Sequence, residues 1–175
     1  MAVADSSPLI YLAKVEKLRL LRELYGSLKV PEAVYREVVV KGEEKGFEDA
    51  LRVKNEIGRF LSVHKPREET MYDIRGHLKK LGFQLGRGEI ECIALCLDAN
   101  DRFLLSDDED AKRFARIYRI ECKGTIYILL KSYKVGLLSR KECAETFERI
   151  VEKGFWVDAG VVNLFHKTLE RLSSD

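Results

Sequence analysis

The sequence contains few of the groups that build a zinc site or a disulfide framework. Its four cysteines include no C-x-x-C pair, and its three histidines are scattered along the chain. Structural zinc sites need a matched cysteine and histidine set, so the sequence gives zinc no support. Cys92 and Cys96 lie four residues apart in an apolar run, which predicts the face of a buried helix with cysteine acting as a small hydrophobic residue.

Long apolar runs and a large net charge are also absent. No window holds the roughly 18 uncharged apolar residues that a membrane span requires, and the first residues show no signal-peptide pattern, so we expect a cytoplasmic protein. The 31 Lys and Arg residues nearly balance the 29 Asp and Glu residues, for a net charge of +2. This balance argues against a sequence-blind polycation but allows a local basic groove.

Short strand-like runs alternate with helical patterns along the chain. A first strand ends at Asp5, a helix is predicted over Leu9–Leu24, and the remaining strands are predicted at Ser27–Val30, Leu61–His64, Arg102–Ser106 and Arg119–Cys122. Such alternation is typical of an α/β domain with a parallel sheet. The length suits a single domain over residues 1–175, with helices filling the C-terminal part from about residue 124.

Two aspartates follow predicted strands. Asp5 ends the first strand and Asp107 ends the strand at Arg102–Ser106. The carboxyl ends of parallel strands lie at one edge of the sheet, where ligands of open α/β folds bind. We therefore expect both aspartates to face one site, although each is also suited to cap the helix behind it.

Three glutamates occupy positions that a surface role explains poorly. Glu37 lies beside the apolar stripe of a predicted helix, where an unpaired carboxylate is costly. Glu89 and Glu91 open a helix that is apolar on every side from Cys92 to Leu97. The helix dipole favours one acidic residue at that end, but two are more than it requires.

Converging carboxylates repel one another unless a cation joins them. An oxygen-only set suits Mg²⁺ or Mn²⁺, which activate water and bridge phosphate oxygens. Without the ion, the repulsion should raise at least one carboxyl pKa. Replacing Asp5 or Asp107 by asparagine is then expected to leave the metal-free protein at least as stable as before.

Four segments that carry these acids resemble the motifs of PIN-domain proteins, in particular a VapC-like prokaryotic branch. They are V-A-D-S-S-P-L-I-Y-L (Val3–Leu12), V-P-E-A-V-Y-R-E-V (Val30–Val38), L-G-R-G-E-I-E-C-I-A-L (Leu85–Leu95) and L-L-S-D-D (Leu104–Asp108). Each motif alone is weak, but all four occur in the family's order and spacing over about residues 1–130. The resemblance implies a three-layer α/β/α sandwich around a parallel sheet.

The resemblance also implies an activity, which is cleavage of single-stranded RNA with Mg²⁺ or Mn²⁺. The family's acidic set falls on Asp5, Glu37, Glu89 and Asp107. The metal ligands implied are Asp5, Asp107 and Glu89, with Glu91 and Asp108 as neighbours able to share the work, and the polar residues that support the acids are Ser6 and Ser106. Many relatives are toxins held inactive by an antitoxin, and many dimerise, so both partners are implied for this chain.

A ribonuclease must attract a polyanion, and phosphate contacts come mainly from lysine and arginine. The basic residues that flank the four acids in the sequence are Arg36, Lys41, Arg87, Lys112 and Arg113. We therefore expect these five residues to contact RNA, although charged residues on helices more often only face solvent.

Two other functions remain open from the sequence. One is a non-catalytic PIN-like module that binds RNA or protein, which an intact acidic set disfavours. The other is a phosphatase with an aspartyl nucleophile, which would need a second aspartate two residues after Asp5. That position is Ser7, so the phosphatase is the weaker of the two alternatives.

Overall fold

Five short parallel strands form the centre of the fold. The computed structural model describes residues 1–173, and its strands are β1 (Ala2–Ala4), β2 (Leu28–Pro31), β3 (Leu61–His64), β4 (Phe103–Leu105) and β5 (Glu121–Lys123). Their order in the sheet is β3-β2-β1-β4-β5, and every neighbouring pair is parallel. Residues 174 and 175, the end of the predicted domain, lie outside the described range.

Helices flank the sheet and form the C-terminal part. They are α1 (Ser6–Lys14), α2 (Arg19–Tyr25), α3 (Glu32–Tyr35), α4 (Lys41–Glu44), α5 (Glu48–Lys54), α6 (Glu68–Leu81), α7 (Arg87–Asp98), α8 (Glu109–Ile117), α9 (Thr125–Lys134), α10 (Arg140–Glu152) and α11 (Ala159–Leu172). Helix α7 packs on β1, β2 and β4 beside α6, while α1 packs with α5, α9 and α10. The predicted three-layer α/β/α fold is confirmed. No helix in the described part of the chain is long and apolar enough to span a membrane.

The strand order changes direction between β1 and β4. From β1 the chain continues outward to β2 and β3, and it later returns to place β4 on the other side of β1. Ala4 pairs with Leu105, and the Asp5 amide donates to the Leu105 carbonyl at 2.9 Å. The carboxyl ends of β1 and β4 therefore meet at a topological switch point, where open α/β sheets bind ligands.

Helix α7 lies inside the protein, as its sequence predicts. Every residue from Ile90 to Cys96 is buried, because the helix contacts three strands and also α3, α6 and α8. Cys92 and Cys96 are fully buried free thiols in this core. Their predicted role as small hydrophobic residues is confirmed.

The single helix predicted over Leu9–Leu24 is wrong, because the segment forms α1 and α2. Helix α1 ends where Glu16 adopts a left-handed conformation with φ of 61°. The Glu16 and Lys17 amides donate to the carbonyls of Ala13 and Leu12, which completes a Schellman ending. Glycine usually occupies the left-handed position, so the sequence gives no signal for this ending.

Candidate active site

Asp5 is a buried carboxylate at the switch point. It follows β1 directly and caps α1, with Oδ1 accepting from the Ser6 amide at 2.8 Å and Oδ2 accepting from Ser106 Oγ at 2.7 Å. Only 3% of the residue is exposed. Burial raises the pKa of Asp5 to about 6, with Glu89 and Glu37 adding repulsion, against the lowering effect of the Ser106 and Ser6 hydrogen bonds. The pKa of Asp5 is thus raised in the expected direction, but burial is the main cause and repulsion from the other carboxylates the smaller one.

Glu37 faces the same point as Asp5. A Cβ atom built on Gly88 would lie 3.7 Å from Glu37 Oε2 and 3.8 Å from Asp5 Oδ1. Glu37 belongs to a π-helical turn, Arg36–Val40, between α3 and α4. Such turns are rare and often occur at functional sites. Glu37 is exposed rather than set against the core, so water or a ligand reaches its carboxylate directly.

Glu89 is the third acid near Asp5. It lies in the first turn of α7 and its charge contributes to the raised pKa of Asp5. Its carboxylate bends back over Gly86, where a Cβ atom would overlap Oε2. The glycine therefore allows the glutamate to fold against its own helix end, which the helix dipole favours.

Asp107 lies at the predicted edge of the sheet but is held by hydrogen bonds. Oδ1 accepts from the Thr125 amide at 2.7 Å, and Oδ2 accepts from Thr125 Oγ1 at 2.6 Å and from Ser7 Oγ at 2.9 Å. Gly124 makes room for this contact, since a Cβ atom there would overlap Oδ1. Asp107 thus joins the start of α9 to α1, the helix that Asp5 caps, through Thr125 and Ser7.

The two neighbouring acids have structural partners. Glu91 is 3% exposed, and its carboxylate accepts from the Ala33 amide and from Arg87 Nε, both at 2.8 Å. Asp108 caps α8 by accepting from the Ala111 amide at 2.6 Å. Neither arrangement favours the role of metal ligand expected from the sequence, because these contacts use oxygens that an ion would need.

The acids are of the right chemical type to bind a divalent cation, but their side chains are not arranged around one point. Asp5, Glu37 and Glu89 supply oxygen ligands, which suit Mg²⁺ or Mn²⁺. Within residues 1–173, however, no three His, Cys, Asp or Glu side chains are placed to hold one ion together. Like charges repel when no cation neutralises them. Because Glu37 is exposed and Glu89 half-buried, both can turn toward Asp5 without disturbing the core.

A basic cavity adjoins the acids. Its volume is about 600 Å³, and Glu37, Ser6 and Ser7 form the part nearest the acids. Its lining also includes Tyr11, Lys14, Lys41, Lys45, Phe47 and Asp49, so three lysines accompany the two carboxylates Glu37 and Asp49. Three lysines beside a carboxylate cluster can neutralise the phosphates of a substrate strand.

The five basic residues expected to contact RNA have different surroundings in the structure. Of the five, only Lys41 lines the cavity next to Glu37. The other four form ion pairs with nearby acids, which are Arg36 with Glu32, Arg87 with Glu91, Lys112 with Glu109 and Arg113 with Asp110. Lys14, Lys45 and Phe47 also line this cavity and were not singled out from the sequence. Lys14 could have been predicted from the sequence, because Ser7, Tyr11 and Lys14 follow Asp5 at helical spacing and so lie on one face of the helix.

Comparisons with known proteins give one family match and several structural ones. A family model described as a PIN domain matches residues 1–171. A chain of the VapBC2 complex from Rickettsia felis, bound to a promoter DNA fragment, is similar, with a TM-score of 0.54 and 14% identity over 70% of this chain and 97% of that one. A chain of VapBC-1 from nontypeable Haemophilus influenzae is similar with a TM-score of 0.53 and 20% identity. The match covers 71% of this chain and 97% of that one. No curated protein sequence matches significantly.

The family model spans nearly the whole chain, including all four motifs and the helices that follow β5. The two structural matches share the fold at low sequence identity. The chain therefore belongs to the PIN-domain family, whose members include nucleases.

Proposed function

We propose that this protein is a metal-dependent endoribonuclease that cleaves single-stranded RNA. The observation that carries the proposal is the placement of the Asp5 and Glu37 carboxylates against Gly88 at the switch point of the sheet. The charge of Glu89 acts on the same point. A buried carboxylate with a raised pKa and two acidic neighbours is typical of functional sites, which supports the proposal.

The cation would be held by Asp5, Glu37 and Glu89. Asp107, at the adjoining strand end, could join them only by giving up hydrogen bonds from Thr125 or Ser7. A bound Mg²⁺ or Mn²⁺ supplies Lewis-acid chemistry, activating water and stabilising charge on a phosphate. The protein's part is to orient the ligands. Ser106 Oγ and the Ser6 amide fix the two oxygens of Asp5, and such supporting contacts typically matter ten- to a hundredfold for a metal site.

RNA would reach the acids through the basic cavity. Lys14, Lys41 and Lys45 line the same cavity as Glu37, so phosphates flanking the cleaved bond would have positive partners there. Tyr11 and Phe47 add aromatic surface on which unpaired bases stack. A lysine and aromatic lining of this kind suits a flexible single strand.

An antitoxin is the proposed protein partner. Both structural matches come from VapBC complexes, and such a partner would occupy the open cavity and block RNA. Binding should abolish cleavage. Native purification of the active, uninhibited chain without any bound protein would argue against this partner. A homodimer, implied by the family resemblance, is tested by the mass of the chain in solution.

The direct test is cleavage of a single-stranded RNA in Mn²⁺, in Mg²⁺ and in EDTA. We expect cleavage with either ion and none in EDTA, with recovery when Mn²⁺ is added back. A double-stranded RNA of the same sequence should be cut poorly, because its bases cannot enter the cavity. Cleavage that persists in EDTA, after removal of contaminating nuclease, would contradict the proposal.

A non-catalytic module is the one alternative with an observation in its favour. Asp107 accepts three hydrogen bonds from Thr125 and Ser7, as a purely structural residue would. This alternative predicts RNA binding without cleavage under every metal condition. The aspartyl phosphatase gains no support, since Ser7 is engaged by Asp107 and the chain belongs to another family.

The three cavity lysines should dominate the salt dependence of RNA binding. Each phosphate contact to a single strand contributes about 0.7 to the slope of log K against log salt concentration. Replacing Lys14, Lys41 and Lys45 together by alanine is expected to lower this slope by about 2 and to weaken binding. Alanine at Lys79 and Lys80, exposed near the end of α6, serves as control. Equal slopes for both variants would exclude the cavity as the RNA path.

A further inference from the structure

A second cavity meets the acids from the side of Asp107. It has a volume of about 540 Å³ and is lined by Asp107, Lys112, Ile126, Tyr127, Phe155 and Trp156, among others. The basic cavity and this one adjoin at the hydrogen bond from Ser7 to Asp107, since Ser7 lines the first and Asp107 the second. A strand crossing the acidic cluster from the basic cavity would therefore enter this second cavity.

Trp156 is exposed on a segment that is firmly anchored. The residue is 84% exposed, whereas the adjacent Phe155 is 8% exposed and packs edge-on against Tyr11 with ring centroids 4.9 Å apart. The Tyr11 hydroxyl donates to the Gly154 carbonyl at 3.0 Å. Tyr11 also lines the basic cavity, so the segment that presents the indole is attached to the wall of the proposed active site.

The charges around the second cavity suit a base better than a phosphate. Asp107 and Asp158 line it together with Glu109 and Lys112, and the negative charge of the two aspartates opposes a phosphate inside. Lys112 is paired with Glu109 at 2.7 Å, so its charge is already balanced. The apolar and aromatic surface of the cavity remains available to an uncharged, flat group that is attached to a phosphate outside.

We propose that Trp156 is a stacking platform for a nucleobase of the RNA strand, next to the phosphate that lies at the acidic cluster. This rests on the proposed function, because a strand must cross the acids for its base to reach the indole. Stacking on aromatic residues tolerates all four bases. Trp156 would therefore position the strand without selecting a sequence.

The inference is directly measurable because Trp156 is the only tryptophan in the chain. In wild type with Mg²⁺, titration with a short single-stranded RNA analogue that cannot be hydrolysed should quench the tryptophan emission to saturation. An oligomer of the same length that has phosphates but no bases should not quench it. Trp156→Leu should raise the Kd for labelled RNA between about fivefold and a hundredfold, and Trp156→Phe by less. Tyr72→Leu, an exposed aromatic residue on α6, should leave the Kd unchanged.

Three results would overturn the inference. One is equal quenching by the RNA and by the oligomer without bases. Another is an unchanged Kd for Trp156→Leu. The third is emission that responds to protein concentration or to a protein partner but not to RNA, which would make the indole a protein contact. Quenching by RNA without any cleavage by wild type would refute the nuclease activity and support stacking on Trp156. Cleavage without quenching would support the nuclease activity and refute stacking on Trp156.

Discussion

Asp5→Asn is expected to slow the cleavage of single-stranded RNA by at least about a hundredfold in saturating Mn²⁺, equivalent to about 2.7 kcal/mol of transition-state stabilisation. The substitution keeps the shape of the side chain and its acceptor for the Ser6 amide. It removes the charge at the buried centre of the acidic cluster. The measurement is the initial rate of cleavage at several Mn²⁺ concentrations.

Two further variants separate a metal effect from misfolding. Ser106→Ala removes the hydrogen bond that fixes Asp5 Oδ2, and it should weaken Mn²⁺ activation about tenfold while leaving some activity. Asp73→Asn removes an exposed charge on α6 and should cut RNA like wild type. Wild-type rates for Asp5→Asn would remove Asp5 from the mechanism.

The positions of Asp5 and Asp107 could be predicted because they depend on topology alone. Each follows a strand, and parallel strands place their carboxyl ends on one edge whatever lies between them. The hydrogen bond from Asp5 to Leu105 shows the two ends side by side. What the sequence does not encode locally is the direction of each carboxylate, and Asp107 turns toward Thr125 rather than into an open cluster.

Glu91 and Asp108 show that a sequence motif does not identify which of its acids are free to bind a metal. Both lie within two residues of a predicted ligand, and both have partners supplied by another turn or by another segment of the chain. The Ala33 amide that binds Glu91 is 58 residues away in sequence, and the partner of Asp108 is the first turn of its own helix. An acid that caps a helix and an acid that binds metal can stand in the same motif, so the contacts in the folded structure are needed to distinguish them.

The groups that would contact substrate were predicted least well. Lys45 and Phe47 lie on the turn between α4 and α5 and reach the site only because these helices pack on the π-helical turn that carries Glu37. Trp156 lies in the connection before α11, outside the four acidic motifs, and its segment is anchored by the contact between Phe155 and Tyr11. Charge or aromatic character alone gives no hint of such placement.

In the absence of metal, Asp5→Asn is expected to be more stable than wild type near neutral pH. The pKa of Asp5 is about 6 in the folded state against 3.8 as its ordinary value. Between these pH values the folded protein binds a proton that the unfolded chain has lost, so the free energy of unfolding of wild type falls as pH rises. The full loss, reached above about pH 6, is about 3 kcal/mol, and asparagine avoids it.

Asp107→Asn should behave in the opposite way. Its carboxylate accepts three hydrogen bonds at two oxygens, and an amide would turn one NH₂ group toward these donors. We expect a loss of about 1 kcal/mol in EDTA, because the partly buried carboxylate loses its charge-assisted hydrogen bonds to two hydroxyl groups. This differs from the expectation from the sequence, that both asparagine variants are at least as stable as wild type, and unfolding of Asp107→Asn in EDTA decides between the two.

Thermal or denaturant unfolding in EDTA at pH 4 and pH 7.5 tests both substitutions. The advantage of Asp5→Asn should be small at pH 4, where wild-type Asp5 is protonated, and close to its maximum at pH 7.5. Adding Mn²⁺ at a hundredfold excess over Kd should then stabilise wild type by about 2.7 kcal/mol, and Asp5→Asn by much less. If Asp5 serves only as a helix cap, asparagine replaces it equally well at both pH values. A wild-type midpoint that Mn²⁺ does not move would mean that the acids at the switch point do not bind this ion.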